Sequence, residues 1–465
     1  MKRILISVSL FLLFSLVGFA QDISGKWSGA IESGKKDPVV FTFTFEKREG
    51  NYATVIDIPA MRVLGLKPKE TVFSNDTVLV DGSNFGFNYK GVLKQDNQQI
   101  EGFFIEGVNT MPLVLKKDII KTESVFIRPQ EPLQPYPYSE EDVTFTNKDA
   151  GINLSGTLTL PQKAGKLPVV ILISGSGPQD RDETFYEHKP FLVLADYLTR
   201  QGIAVLRYDD RGVGKSTGDH SIATTKDLAS DVISAIQYLK SRKDIGKIGL
   251  IGHSEGAIIA PMVANLNKNI SFIVMLAGTG IPGSEVSLFL ARTTRGFPVP
   301  DEVAYEAAIR KAIEIASANK EISEIKKELK LHYDNAIVPI LNPMFKTDAE
   351  VDAVINKLID IRTSIWNRYF YNYNPANELK KINCPVLALN GSKDTQVQAR
   401  INQEGIRNAL IQGQNKDYLV QELPNLNHLF QECETGEMNE YNKIEQTISP
   451  KVLKLISDWI KPRIN

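Results

Sequence analysis

Hydrophobic positions change rhythm twice along this chain. Residues 39–45 alternate apolar with threonine, and 77–80, 85–89 and 111–115 are similar short runs. Turn residues such as Asp81-Gly82 and Glu49-Gly50-Asn51 separate them. Short, regularly spaced strands of this kind predict a small all-β sandwich or barrel over 21–118. Four prolines crowd into 128–138, which predicts an extended, stiff linker over 119–139.

Beyond the linker the runs become longer and wholly apolar. Two strands (143–147, 154–160) read as an antiparallel start. Strands at 169–173, 204–208 and 247–251 then alternate with helical spacing at 190–201, 225–240 and 255–265. Further strands follow at 273–277, 386–390 and 418–423, and a helix over 450–460 closes the chain. Apolar strands alternating with amphipathic helices predict an α/β domain over 140–465, with a parallel sheet covered on both faces. An insertion over about 281–379 has helical spacing at 301–331 and 348–371. It is expected to be a helical lid over the strand ends, with plain cover for one sheet edge as the alternative.

The first twenty residues stand apart. Lys2 and Arg3 precede an almost unbroken apolar run over 4–19, and Gly18 and Ala20 are small enough for a processing site. That layout is a secretory signal over 1–20. An uncleaved anchor is the alternative, but the run is short for a span of about 20 residues. The mature chain is expected to be exported, periplasmic or extracellular, with no membrane span. No cysteine follows the run to carry a lipid. In an oxidising compartment Cys384 and Cys433 could form a bridge or remain two thiols. A net charge of −1 gives no field that would gather nucleic acid.

Candidate chemistry centres on Gly252-His253-Ser254-Glu255-Gly256, a G-x-S-x-G pentapeptide. An apolar strand precedes it and an apolar helix follows, the context in which a serine hydroxyl is thrust above a sheet. The pattern occurs again at 214–218, but Ser216 lies in a polar turn and reads as a loop serine. The Lys215-Ser216 pair is no phosphate loop, because Asp209 stands where that motif needs glycine.

A serine nucleophile needs a base. Of five histidines only His332 and His428 follow Ser254, the order this arrangement requires. His332 sits in the charged insertion, whereas His428 follows the last strand. The orienting acid should follow the preceding strand, which selects Asp394, with Asp417 as fallback. Backbone donors for an oxyanion are expected at Glu255 and in Ser174-Gly175-Ser176-Gly177-Pro178. Ser176 is the first choice there, with Gly175 or Gly177 as alternatives. No cofactor is expected.

Three stretches together resemble the α/β-hydrolase superfamily: 174–182, 207–216 and the Ser254 pentapeptide. Within it they look like the bacterial esterases and serine aminopeptidase-like hydrolases, the EstD-like group among them. The resemblance covers about 140–465. It implies a triad matching Ser254, Asp394 and His428, no metal, and a small-molecule ester as substrate. One departure is Ser174, where many relatives have histidine. The β-rich region lies outside that superfamily's core and resembles a lipocalin-like domain. Asp180, Arg181, Asp182, Asp210 and Arg211 are expected to form an ion-pair lattice shaping two loops rather than a substrate grip. A peptidase using the same triad, and a binding protein on an inert hydrolase scaffold, are the rival functions.

Overall fold

Period-two alternation builds the first unit. Its strands are β1 (Gly25–Ile31), β2 (Val39–Arg48), β3 (Asn51–Ile58), β4 (Val63–Leu66), β5 (Glu70–Ser74), β6 (Thr77–Gly82), β7 (Phe87–Leu93), β8 (Gln99–Glu106) and β9 (Asn109–Lys117). In this computed structural model the described residues are 22–464, apart from 32–38, 49–50, 59–62, 95–96, 107–108, 118–127, 164, 294, 296–298 and 342–346. The expected signal segment, and the part of the expected linker up to 127, lie outside them. The chain divides into two compact units, 1–124 and 125–465.

In the first unit one antiparallel sheet runs β4-β3-β2-β1-β9-β8-β7-β6-β5. It curls until its ends meet, since Thr54 on β3 and Thr71 on β5 share a buried 2.7 Å hydroxyl hydrogen bond. This is a barrel rather than a two-sheet sandwich. Inward positions such as Trp27, Phe43, Tyr89, Ile100 and Leu113 form its core.

The second unit opens with β10 (Tyr138–Asn147), β11 (Ile152–Pro161) and β12 (Leu167–Ile173), then α1 (Pro190–Arg200) and β13 (Ala204–Tyr208). It continues with α2 (Thr225–Ser241), β14 (Ile245–His253), α3 (Gly256–Leu266) and β15 (Ile270–Leu276). The insertion carries α4 (Gly283–Thr293), α5 (Glu302–Ser317), α6 (Ile322–Ala336), α7 (Val338–Leu341), α8 (Asp348–Thr363), α9 (Ile365–Asn372) and α10 (Ala376–Leu379). Then come β16 (Val386–Gly391), α11 (Ala399–Gln412), β17 (Tyr418–Leu423) and α12 (Pro450–Ile464).

The sheet order is β10-β11-β13-β12-β14-β15-β16-β17. β10, β11 and β13 pair antiparallel, and every later pair is parallel. Successive residues of β12 feed opposite faces. Val169, Ile171 and Ile173 join the core under α2, α3 and α11. Val170 and Leu172 join the core under α1 and α12. That double burial is why these strands read as unbroken apolar runs.

Two expectations need refinement. The proline-rich stretch is no free connector from 128 onward. Arg128 donates to the carbonyls of Ile444 and Tyr186, Gln130 pairs with Thr447 and Ile448, and Tyr138 already belongs to β10. Within the insertion, each expected helical stretch is two helices. The Ser364 hydroxyl caps α9 by accepting from Asn367 N–H, which breaks 348–371 in two. Ala318 and Glu321 are extended and separate α5 from α6. Both cysteines are free thiols.

Candidate active site

The turn between β14 and α3 is a strained elbow. Ser254 holds φ +52°, the left-handed region that a side chain adopts only at a cost. Its N–H is tied to the Leu276 carbonyl at 2.8 Å. A Cβ on Gly252 would meet the Gly256 carbonyl oxygen at 2.0 Å, and one on Gly256 would meet the Ile173 carbonyl at 2.0 Å. The G-x-S-x-G glycines are therefore steric necessities: strand, turn and helix touch backbone to backbone.

His428 and Asp394 come from the loops after β17 and β16. His428 Nδ1–H donates to Asp394 Oδ2 at 2.7 Å. Asp394 Oδ1 accepts from the N–H groups of Gln396 and Val397, both at 2.8 Å. Both side chains are buried. The carboxylate is fully satisfied, so it can fix the imidazole's tautomer and balance a developing positive charge. Asn427 shapes the turn, its Oδ1 accepting from Leu429 and Gln431 N–H. His428 is brought beside the elbow by His253, whose Nε2 lies 3.0 Å from the His428 carbonyl. Among the described residues no hydrogen bond joins Ser254 Oγ to His428 Nε2.

The loop after β12 lies against the same elbow, since a Cβ on Gly175 would be 3.3 Å from Ser254 Cβ. Gly175 N–H is already committed to Glu183 Oε1 at 2.7 Å. Among the described residues, the N–H groups of Ser176 and Glu255 donate to no protein acceptor. Ser174 Oγ donates to Asp210 Oδ1 at 2.8 Å, and Gln179 N–H to Asp210 Oδ2 at 3.0 Å. Burial holds the Asp210 carboxyl well above the usual range.

The remaining candidates fall elsewhere. Asp417 precedes β17, at the opposite end of that strand from the His428 loop, and pairs with Arg463 at 2.5 Å. His332 Nε2 donates to the Ala308 carbonyl inside the insertion. Ser216 is buried, donating to the Asp209 carbonyl and accepting from Ser155 N–H. The charged residues do brace loops. Arg181 grips Asp209 through two nitrogens at 3.0 and 2.8 Å, Arg207 pairs with Asp182, and Arg211 grips Asp231 at 2.8 and 2.9 Å. Asp180 caps a turn and Asp210 serves neutral donors, so among the described residues neither is part of an ion pair.

Three features were not anticipated from the sequence. Glu183 lies one position past the charged run and is buried against His253. His188 is buried between the Tyr441 carbonyl and the Thr447 hydroxyl, and burial lowers its pKa to about 4. Trp366 on α9 donates from Nε1 to Glu255 Oε1 at 2.7 Å, tying the insertion to the residue after Ser254. Burial raises the Glu255 pKa, against its bonds from Thr225 and Trp366.

Residues 187–431, more than half of the chain, match the family described as serine aminopeptidase, S33. The chain belongs to the serine aminopeptidase S33 family. Ser254, Asp394 and His428 all lie within the matched S33 span, and the fold is that of an α/β-hydrolase preceded by an all-β unit. Esterase EstD of Thermotoga maritima is 28% identical to this S33 chain over 322 residues, 68% of each protein. An acyl transferase of Shewanella hanedai is 37% identical over 89 residues, 19% of this chain and 28% of its own. An esterase structure from Pyrococcus furiosus aligns with 73% of this chain and 99% of its own, at 16% identity and TM-score 0.44. Among the described residues no helix is long and apolar enough to cross a membrane.

Proposed function

We propose that this chain is an exported serine hydrolase that cleaves carboxylic esters through an acyl-enzyme. Ser254 Oγ attacks the ester carbonyl while His428 takes its proton, and Asp394 steadies the imidazolium that forms. The N–H groups of Glu255 and Ser176 receive the oxyanion. His428 then protonates the leaving alcohol, and water releases the acyl group by the reverse steps. The observation that carries this reading is the 2.7 Å His428–Asp394 hydrogen bond between buried side chains, on loops of neighbouring strands, beside a left-handed serine. The two N–H groups without protein acceptors support the oxyanion assignment. The likeness to esterase EstD supports an ester substrate. Export rests on the basic start and apolar run of the first twenty residues.

Ser254→Ala should abolish turnover of p-nitrophenyl acetate and butyrate in a folded protein, a loss of at least about 10³-fold. Activity within about tenfold of wild type would sink the assignment. A second reading, cleavage of short peptides by the same residues, is favoured by the description of the matched family. Comparing kcat/KM on aminoacyl p-nitroanilides and p-nitrophenyl esters separates the two.

A further inference from the structure

Beneath the proposed triad lies a pair of buried groups that the chemistry above does not use. Glu183 is 4% exposed and His253 6%. One oxygen, Glu183 Oε1, accepts both the Gly175 N–H at 2.7 Å and His253 Nδ1–H at 2.8 Å. The other ring nitrogen of His253 donates to the His428 carbonyl at 3.0 Å. The two imidazole centroids are 4.8 Å apart. A single hydrogen-bonded line thus runs from the loop after β12 to the loop after β17. It passes through the residue directly before Ser254. Glu183 itself sits at φ +52°, a conformation that costs an ordinary residue and persists only when its surroundings demand it.

The proton count is constrained. The His428 carbonyl has no proton to give, so Nε2 must carry one. On the other side Glu183 Oε1, which also takes the Gly175 N–H, is the acceptor, so Nδ1 carries one as well, and the ring is an imidazolium. Burial works against that charge, but the Glu183 charge and hydrogen bond outweigh it, and the His253 pKa is raised overall.

We propose that Glu183 and His253 form a buried ion-paired strut that fixes the oxyanion loop and the His428 loop relative to Ser254. The proposal rests on the reading of Ser254, Asp394 and His428 as the triad. Both are positioning residues, acting through Gly175 and His428 rather than on the substrate. Cutting the strut leaves the nucleophile on its elbow but lets donor and base drift, so turnover suffers more than binding.

The test uses the full chain and p-nitrophenyl butyrate. Glu183→Gln should lower kcat about 10- to 100-fold with KM within about threefold. The titratable groups facing His253 are Glu183, Asp394 and the His428 ring. Without the Glu183 charge the His253 proton leaves at lower pH. With its partner gone, burial keeps the His253 ring neutral in the variant, so the loss of kcat should persist from about pH 8 to about pH 6, and Glu183→Asp, which keeps the charge, should recover part of it. No recovery of kcat in a folded Glu183→Asp, or a KM effect with unchanged kcat, overturns the proposal. If the variant does not fold, ¹⁵N spectra of the histidine rings in wild type decide. Two protonated nitrogens on His253 at neutral pH are expected, and one bare nitrogen refutes the ion pair. Ser254→Ala is run alongside: retained turnover there overturns the triad reading, while the His253 spectrum still reports on the strut.

Discussion

At the scale of single residues the site is governed by close backbone approach and by satisfied charges. Gly252→Ala would drive a methyl into the Gly256 carbonyl, 2.0 Å from the ideal Cβ position. Overpacking where backbone cannot yield should cost about 3 kcal/mol or more, read as a lower denaturation midpoint. Asp394→Asn offers an amide where the imidazole needs an acceptor, and should lower kcat by about 10⁴-fold while the protein stays folded. His188 gives a pH signature. It is buried and neutral, its pKa lowered from 6.5 to about 4. Above about pH 6.5 folded and unfolded chains are both unprotonated there, and this stabilising difference is lost as the pH falls from 6.5 towards 4. In His188→Gln the drop in unfolding free energy between about pH 7 and about pH 4.5 should shrink by about 2 kcal/mol, measured by denaturant titration.

At the scale of elements, α9 connects insertion and site. Trp366 stacks on Phe370 at 5.1 Å and donates to Glu255. Trp366→Phe keeps the stacking face but removes a donor from a buried carboxyl, which should cost about 1–3 kcal/mol in denaturant unfolding. The central hydrolase strands were legible because they are almost wholly buried, and helices such as α1 and α2 because each carries an apolar stripe. Ser254, Asp394 and His428 stood out through strand ends and chain order. Trp366 left no signal, since its partner is 111 positions away and only folding joins them. Glu183 was missed for the same reason: its partner is 70 positions off, and it reads as one more polar loop residue. In the barrel, β8 escaped notice because the outward Phe103 and Ile105 flank the inward Phe104, which blurs the alternation. β1 was hidden because Gly29 takes an inward-facing position.

At the scale of the molecule, two units each carry their own core, the barrel interior in one and the two faces of the eight-stranded sheet in the other. A chain beginning at about residue 125 should therefore fold and turn over p-nitrophenyl acetate within about tenfold of the full chain. A drop beyond that, in a truncated protein that still melts cooperatively, would assign the barrel a part in the chemistry. The parallel ladder has a further consequence. His253 pairs with Leu276, Leu276 with Leu389, and Gly391 with Leu423, so the loops that carry Ser254, Asp394 and His428 are indexed by inter-strand bonds and not by the chain between them. The long excursion between β15 and β16 leaves and rejoins the sheet without entering that register. Away from the Trp366 and Thr293 contacts, its length and composition can drift over generations while Ser254, Asp394 and His428 keep their places at the strand ends.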